Sequence, residues 1–343
     1  MAPPTRIGLI GCGFYAENHL NAWRDLAAEG AELVGVCDLD AAKAEAAGRR
    51  FQAPWFADAA EMIQATRPDL VDVVTQMRAH RALLDLALDR GVGCIVQKPL
   101  APSWEDCLAM AASARSSGRF VAVHENFRFQ TPMLRVRKLI GAGAIGKVSF
   151  ARISFRTGFD VYRAQPYFLT EPRLVILDVG VHLLDLARVF LGEVERVSCE
   201  TQTRRKGIAG EDTATMVLRH RSGAVSIVDC TFQAKRQPDS FPETLSEIEG
   251  DRGSLAMKPG CRLAVTTDGL SWEEDAGAPL LPWTERPWHV SQEGVLNACR
   301  HFLSRFREGR AADTSIEDNL KTMALAEAAY QSAISGSAVA PRA

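Results

Sequence analysis

A short glycine-bearing turn near the start constrains this chain more than any other feature. The apolar run 7–10 leads straight into Gly11-Cys12-Gly13-Phe14-Tyr15-Ala16. After it, Ala16, Leu20, Trp23 and Ala27 recur on one face of a helix. A strand, then G-x-G-x-x-A, then a helix is the first turn of a β-α-β unit that holds a dinucleotide. Gly11 permits the tight turn, Gly13 lets backbone approach a pyrophosphate, and Ala16 lets the helix pack close to the strand. The uncapped N–H groups at the helix start attract phosphate. The next apolar run, 33–37, ends at Asp38, where a carboxylate can accept hydrogen bonds from ribose hydroxyls. Leu39 and Asp40 follow, with no arginine to hold a 2′-phosphate. The expected cofactor is therefore NAD rather than NADP, with Gly11, Cys12, Gly13, Phe14, Tyr15 and Asp38 around it.

Further apolar runs at 70–74, 94–96 and 120–123 alternate with helical stretches. A helix over 81–90 stops at Gly91, and Ser103 with Asp106 reads as a capping box. Strands alternating with helices at this spacing predict a parallel sheet covered on both faces. Beyond about residue 125 the rhythm changes. Thr131 reads as an N-cap before Pro132, opening a helix to Ile140. Strand-like runs follow at 148–155, 194–203, 214–219, 224–232, 245–249, 255–257 and 263–266, separated by turn signals. Helices over 293–307 and 316–334 close the chain. The expectation is an α/β protein with an N-terminal doubly wound parallel-sheet (Rossmann) domain at 1–125. An α+β domain with a large, mostly antiparallel sheet should occupy 126–343. The run 224–232 is apolar at both parities, which predicts a sheet covered by a second copy in a homodimer or homotetramer.

Composition removes several function classes. Forty basic and 42 acidic residues give a net charge of -2, so no bulk attraction to nucleic acid or anionic membrane is expected. No run reaches the ~18 apolar residues of a membrane span, and 7–14 is too glycine-rich for a secretory leader. The eight cysteines are scattered, without C-x-x-C or zinc spacing. A reduced, soluble, cytoplasmic protein without a metal is expected.

Candidate chemistry lies in two places. Gln97-Lys98-Pro99 follows the run 94–96, and the carboxyl ends of parallel strands are where ligands bind, so Lys98 should reach the cofactor crevice. Asp178, His182 and Asp185 fall at i, i+4, i+7 on the apolar run 177–191. They read as one polar stripe, either functional or a hydrogen-bonded packing cluster. Arg156, Asp160, Tyr162, Arg163 and Gln165 suit a polyhydroxylated ligand or an exposed loop.

The turn at 11–16, Asp38, Val73-Val74-Thr75 with His80 downstream, and Gln97-Lys98-Pro99 together resemble one known family. Glu125-Asn126-Phe127-Arg128-Phe129 and Asp178-Val179-Gly180-Val181-His182 extend the likeness over nearly the whole chain. It is that of the glucose–fructose oxidoreductase, inositol dehydrogenase and MocA-like (Gfo/Idh/MocA) enzymes. The resemblance implies a lysine beside the nicotinamide, a histidine or lysine that handles the alcohol proton, and a supporting aspartate: Lys98, His182 and Asp178. It adds Thr75, Gln76, His80, Gln97 and Lys98 to the cofactor set. Lys98, Asn126, Arg128, Arg156, Tyr162, Arg163, Asp178 and His182 are expected at the substrate, and Pro99 should follow a cis peptide.

The chain departs from the family at Gln97, where a glutamate is usual, and at Gln76, where Thr75 is usually followed by proline. Losing the carboxylate beside Lys98 should make its protonated form less favoured than usual. The activity implied is oxidation of a hydroxyl or hemiacetal of a sugar or polyol by hydride transfer to NAD. Stretches 6–23 and 155–168 resemble a branch that oxidises a branched pentose to its lactone. Competing readings are an NAD-using glycosidase, a non-catalytic NAD- or sugar-sensing regulator, and an NADPH-dependent reductase. Retention of Lys98 and His182 argues against a sensor, and Asp38 with Asp40 against NADPH.

Overall fold

In the computed structural model, which describes residues 3–342, the glycine turn sits where a parallel sheet reverses its strand order. The strands are β1 (Thr5–Ile10), β2 (Ala31–Cys37), β3 (Trp55–Phe56), β4 (Leu70–Val73), β5 (Gly93–Gln97) and β6 (Val121–His124). They lie in the order β3-β2-β1-β4-β5-β6, and every pairing is parallel. Strands β4, β5 and β6 are buried along their whole length. That is why they read as unbroken apolar runs instead of alternating ones. The connecting helices are α1 (Ala16–Asp25), α2 (Ala41–Phe51), α3 (Ala59–Thr66), α4 (His80–Asp89) and α5 (Trp104–Ser117). The start of α5 bears out the capping box: Ser103 Oγ accepts from Asp106 N–H at 3.1 Å and donates to its carboxylate at 2.9 Å.

Residues 295–320 group with this unit, which otherwise ends at Asn126. Val123 N–H donates to Thr314 O at 2.8 Å, and the Arg307 guanidinium donates to the carbonyls of Glu29 and Gly30, both at 2.6 Å. The sequence reading had assigned everything after 125 to the second domain.

The second unit comprises 127–294 and 321–343. Its helices are α6 (Thr131–Gly141), α7 (Val161–Ala164) and α8 (Val181–Leu191). Helices α9 (His289–Arg307) and α10 (Ile316–Ser335) contribute residues to both units. Its strands are β7 (Val148–Arg156), β8 (Val194–Gln202), β9 (Thr213–His220), β10 (Val225–Thr231), β11 (Leu245–Gly250), β12 (Gly253–Lys258), β13 (Arg262–Thr267) and β14 (Leu270–Asp275). They form one sheet in the order β14-β13-β12-β11-β7-β10-β9-β8. Only β7 and β10 run parallel within it. Helix α8 packs on β7 and β10. Ala151, Ile153 and Phe155 of β7 are buried, while Arg152, Ser154 and Arg156 alternate with them on the other face.

Two readings of local structure are corrected. Gln130, not Thr131, is the N-cap of α6; Thr131 is already helical and its Oγ1 donates to Glu293 at 2.8 Å. The run 177–191 is not a single α-helix, because a π turn at Ile176–Gly180 precedes α8. All eight cysteines are free, and no helix among the described residues is long and apolar enough to cross a membrane.

Candidate active site

In the first unit the predicted cofactor residues lie at or beyond the carboxyl ends of the parallel strands. Gly11 follows β1, with φ of 97°, and a Cβ there would lie 2.4 Å from the carbonyl oxygen of Val74. Glycine is required by both conformation and contact. Gly13 is different: a Cβ on it would meet no protein atom within 4 Å. No protein contact calls for a glycine there, whereas the approach of a phosphate group to the backbone would. Helix α1 starts without a side-chain cap, and although Ala16 N–H and Asn18 N–H donate to the carbonyls of Gly13 and Tyr15 at 3.1 Å, the partial positive charge of the helix start favours an anion there. Asp38 follows β2 and accepts Cys12 N–H at 2.7 Å on one oxygen and Asp40 N–H at 2.8 Å on the other. Each oxygen keeps capacity for a further hydrogen bond. Phe14 and Leu39, beside the turn and beside Asp38, are 85% and 94% exposed. Apolar side chains this open flank a site suited to aromatic rings. The positive helix end, the Asp38 carboxylate and the open Gly13 together fit a dinucleotide.

Thr75 and Gln76 follow β4 in a half-exposed loop. His80 begins α4 fully buried, with its ring nitrogens 3.1 Å from the carbonyls of Thr75 and Leu100. Burial pulls its pKa below the ordinary value. As a neutral ring His80 donates to one of these carbonyls and packs against the other, between the loop after β4 and the loop after β5, a positional task the resemblance did not specify. Lys98 is half-exposed at the end of β5, before a cis bond to Pro99, as the resemblance implied. Asn126, buried just beyond β6, donates to Tyr15 Oη at 3.4 Å.

In the second unit the polar stripe is divided by the π turn. A π turn closes i→i+5 instead of i→i+4, and such turns often occur at functional sites. Asp178 lies within it, half-exposed, close enough to Tyr167 for its charge to add to the burial that raises the tyrosine pKa. His182, in the first turn of α8, is buried with its ring stacked on Phe127 at 3.7 Å between centroids. Asp185 has a structural partner. The Arg128 Nε donates to it at 2.6 Å and Nη2 bonds its second oxygen, with both side chains buried. The sequence had placed Arg128 among the substrate ligands.

Arg156 is likewise paired, donating to Asp229 at 2.6 Å. Because strand side chains alternate, it lies on the face of the sheet opposite Phe155 and α8. Tyr162 is buried against Phe232 beneath the Arg205 guanidinium, and burial raises its pKa to about 12. Arg163 is exposed.

Sequence reading missed the aromatic group that continues from Phe127 through Phe155 to Phe241, Phe159 and Trp288. It also missed His19 and Asp72, which lie behind Gln97. A lone carboxylate inside the apolar run 70–74 was the available signal.

Residues 5–125 match the family described as an oxidoreductase family with an NAD-binding Rossmann fold. Residues 133–256 match its C-terminal domain. This chain belongs to the Gfo/Idh/MocA oxidoreductases. Two D-apiose dehydrogenases, from Paraburkholderia graminis and Rhizobium rhizogenes, are each 42% identical over 96% of this chain. The aligned region covers 88% and 96% of those proteins. An oxidoreductase from Agrobacterium radiobacter, solved with NAD+, L-tartaric acid and magnesium, is 41% identical with a TM-score of 0.95 over 98% of both chains. Levoglucosan dehydrogenase, at 20% identity and a TM-score of 0.87 over 99% of this chain and 100% of its own, shares the fold. As a Gfo/Idh/MocA enzyme the chain binds NAD, and the cradle of Gly11, Gly13, the α1 N-terminus and Asp38 is built for it.

Proposed function

We propose that the protein oxidises D-apiose, a branched pentose, at its anomeric carbon to the lactone. One observation carries this reading: 42% identity to D-apiose dehydrogenases over 96% of the chain. The retained Lys98, Asp178 and His182 support it. Bound NAD supplies the hydride acceptor. Oxidation of the hemiacetal also releases the hydroxyl proton as the C–O double bond forms. His182, whose residue type titrates nearest neutrality, takes that proton. Its stacking on Phe127 at 3.7 Å restricts ring rotation, which keeps its nitrogens aimed. Lys98 donates a hydrogen bond to the same oxygen and stabilises negative charge as it develops. Asp178 orients the histidine from the π turn. Asn126 and the exposed Arg163 are the remaining polar groups assigned to the sugar. His80 positions the loops that carry Thr75 and Lys98.

The free thiols, all but Cys12 buried, support a reduced, cytoplasmic setting. The partly exposed apolar face of the large sheet supports a homodimer or homotetramer formed through it.

The experiment is NADH formation across free pentoses, hexoses, inositols and aryl glycosides. D-Apiose should give stoichiometric NADH and lactone with the highest kcat/KM. Highest turnover with an inositol or hexose would overturn the substrate. Release of the aglycone without net NADH would replace the reading with an NAD-using glycosidase.

A further inference from the structure

Behind Lys98 runs a line of buried hydrogen bonds that the proposed chemistry does not use. The backbone N–H of Lys98 can only donate, and Gln97 Oε1 accepts it at 2.8 Å. That contact fixes which way the amide points, since amide orientation follows from the hydrogen-bond network. The amide NH2 then faces His19 Nε2 at 3.0 Å. An NH2 group also only donates, so His19 Nε2 accepts and the ring proton sits on Nδ1. There it meets Asp72 Oδ2 at 2.8 Å, and Trp23 Nε1 donates to the same oxygen at 2.7 Å. His19 and Asp72 are fully buried. Turning the amide round would set two donors against each other at Lys98 N–H. It would also require His19 to donate from both nitrogens. One proton arrangement satisfies every contact, and in it His19 is neutral.

We propose that Gln97, His19 and Asp72 are positioning residues for Lys98, gripping the strand end from which the lysine projects. This rests on the reading that Lys98 touches the substrate oxygen. The grip is anchored in the sheet, because Asp72 lies on β4 and Gln97 on β5, and both hydrogen-bond His19 of α1. It also engages both ring nitrogens of His19. The donor atoms of His19, His124 and Cys299 lie within 4.8 Å of one another, but His19 has no nitrogen left for a metal ion.

The Gln97 amide itself neither gains nor loses a proton. His19 faces Asp72 from β4, Gln97 from β5, His124 from β6 at 4.2 Å between ring centroids, and Tyr15 ahead of α1 at 5.7 Å. Cys299 from α9 reaches His124 at 3.7 Å. Burial pushes its thiol far up, so it stays protonated and uncharged. A carboxylate at position 97 would still accept Lys98 N–H, but its second oxygen would confront the lone pair of His19 Nε2. Only an added proton, on His19 Nε2 or on the carboxyl group at position 97, would restore the contact.

The test compares Gln97→Leu and Gln97→Glu, each alone, and Gln97→Leu in a Lys98→Met background. NADH affinity by fluorescence reports on folding and the cofactor cradle. Gln97→Leu should lower kcat roughly tenfold at every pH, with NADH affinity held within about threefold. In the Lys98→Met background the same substitution should change the residual kcat by less than about twofold, because the residue acts through Lys98. Gln97→Glu should gain an alkaline loss of kcat, absent from the parent, as the added proton leaves. Adding His19→Gln, which supplies a neutral donor at that position, should abolish this pH dependence. A full tenfold effect of Gln97→Leu without the lysine, or a Gln97→Glu pH profile identical to the parent's, overturns the proposal. Undiminished kcat in Lys98→Met alone overturns the reading beneath it, and the proposal with it.

Discussion

Both oxygens of the Asp38 carboxylate hold backbone N–H groups of the turns around them, and each retains a lone pair for a ribose diol. A 2′-phosphate brought to the same place would meet that carboxylate and Asp40. The kcat/KM with NAD should therefore exceed that with NADP by at least about tenfold, roughly 1.4 kcal/mol. Asp38→Ala with Leu39→Arg should narrow or invert the ratio, and equal turnover of the two cofactors by the parent would contradict this account. His80 carries a second expectation at this scale. Burial lowers its pKa from 6.5, so below that pH the unfolded chain binds a proton that the native state resists. Stability should fall as pH drops through this window and return above it. His80→Asn should be less stable than the parent at neutral pH but lose less on acidification to about pH 5.5, read from paired melting curves. A parallel loss in both proteins would remove His80 from the balance. The motif residues were legible because their task is local: Gly11 and Asp38 are set by the turn they make. That Arg128 and Arg156 each hold a carboxylate was not legible, because their partners, Asp185 and Asp229, are distant in sequence.

Among elements, α8 and the π turn ahead of it show what a periodic pattern conceals. Three polar residues at helical spacing looked like one stripe, yet Asp185 joins a buried ion pair, Asp178 lies in the π turn, and His182 stacks on an aromatic ring. Arg128→Met leaves Asp185 buried with Arg188 at 3.7 Å and the Thr322 hydroxyl at 3.1 Å. It should cost about 3 kcal/mol in urea unfolding, the low end for breaking a buried pair because Arg188 remains. Arg128→Met with Asp185→Leu should cost less than the single substitution, since no buried charge is then left behind. A single-variant loss below about 1 kcal/mol would mean the pair is replaceable at that site. The elements that sequence missed had no pattern to give. β3 is two residues long, and β14 is an exposed edge strand without a buried face to impose alternation. The long apolar runs and the Ser103 cap were readable for the opposite reason, since burial and a satisfied N–H constrain residue type directly.

At the scale of the whole molecule, fold and family were written in the strand–turn–helix order and the spacing of a few motifs. Choosing the sugar depends on loop contacts that composition does not encode. The face of the large sheet away from α8 presents Val217, 44% exposed, with half-exposed Val225 and Ile227 among charged neighbours. If a second copy covers it, light scattering should give two or four times the 37.4 kDa chain mass. Val217→Glu with Ile227→Glu should shift the protein toward monomer while NADH affinity is kept. A monomer mass for the parent at micromolar concentration would contradict the assembly. The central claim is that Lys98 and His182 act on one substrate oxygen. The most direct measurement is kcat for D-apiose oxidation in Lys98→Met, His182→Ala and the double variant. Each single substitution should lower kcat by about 10²–10⁴. The double should lose less than the product of the two, with NAD affinity little changed in His182→Ala. Near-parental kcat in both single variants would contradict the account.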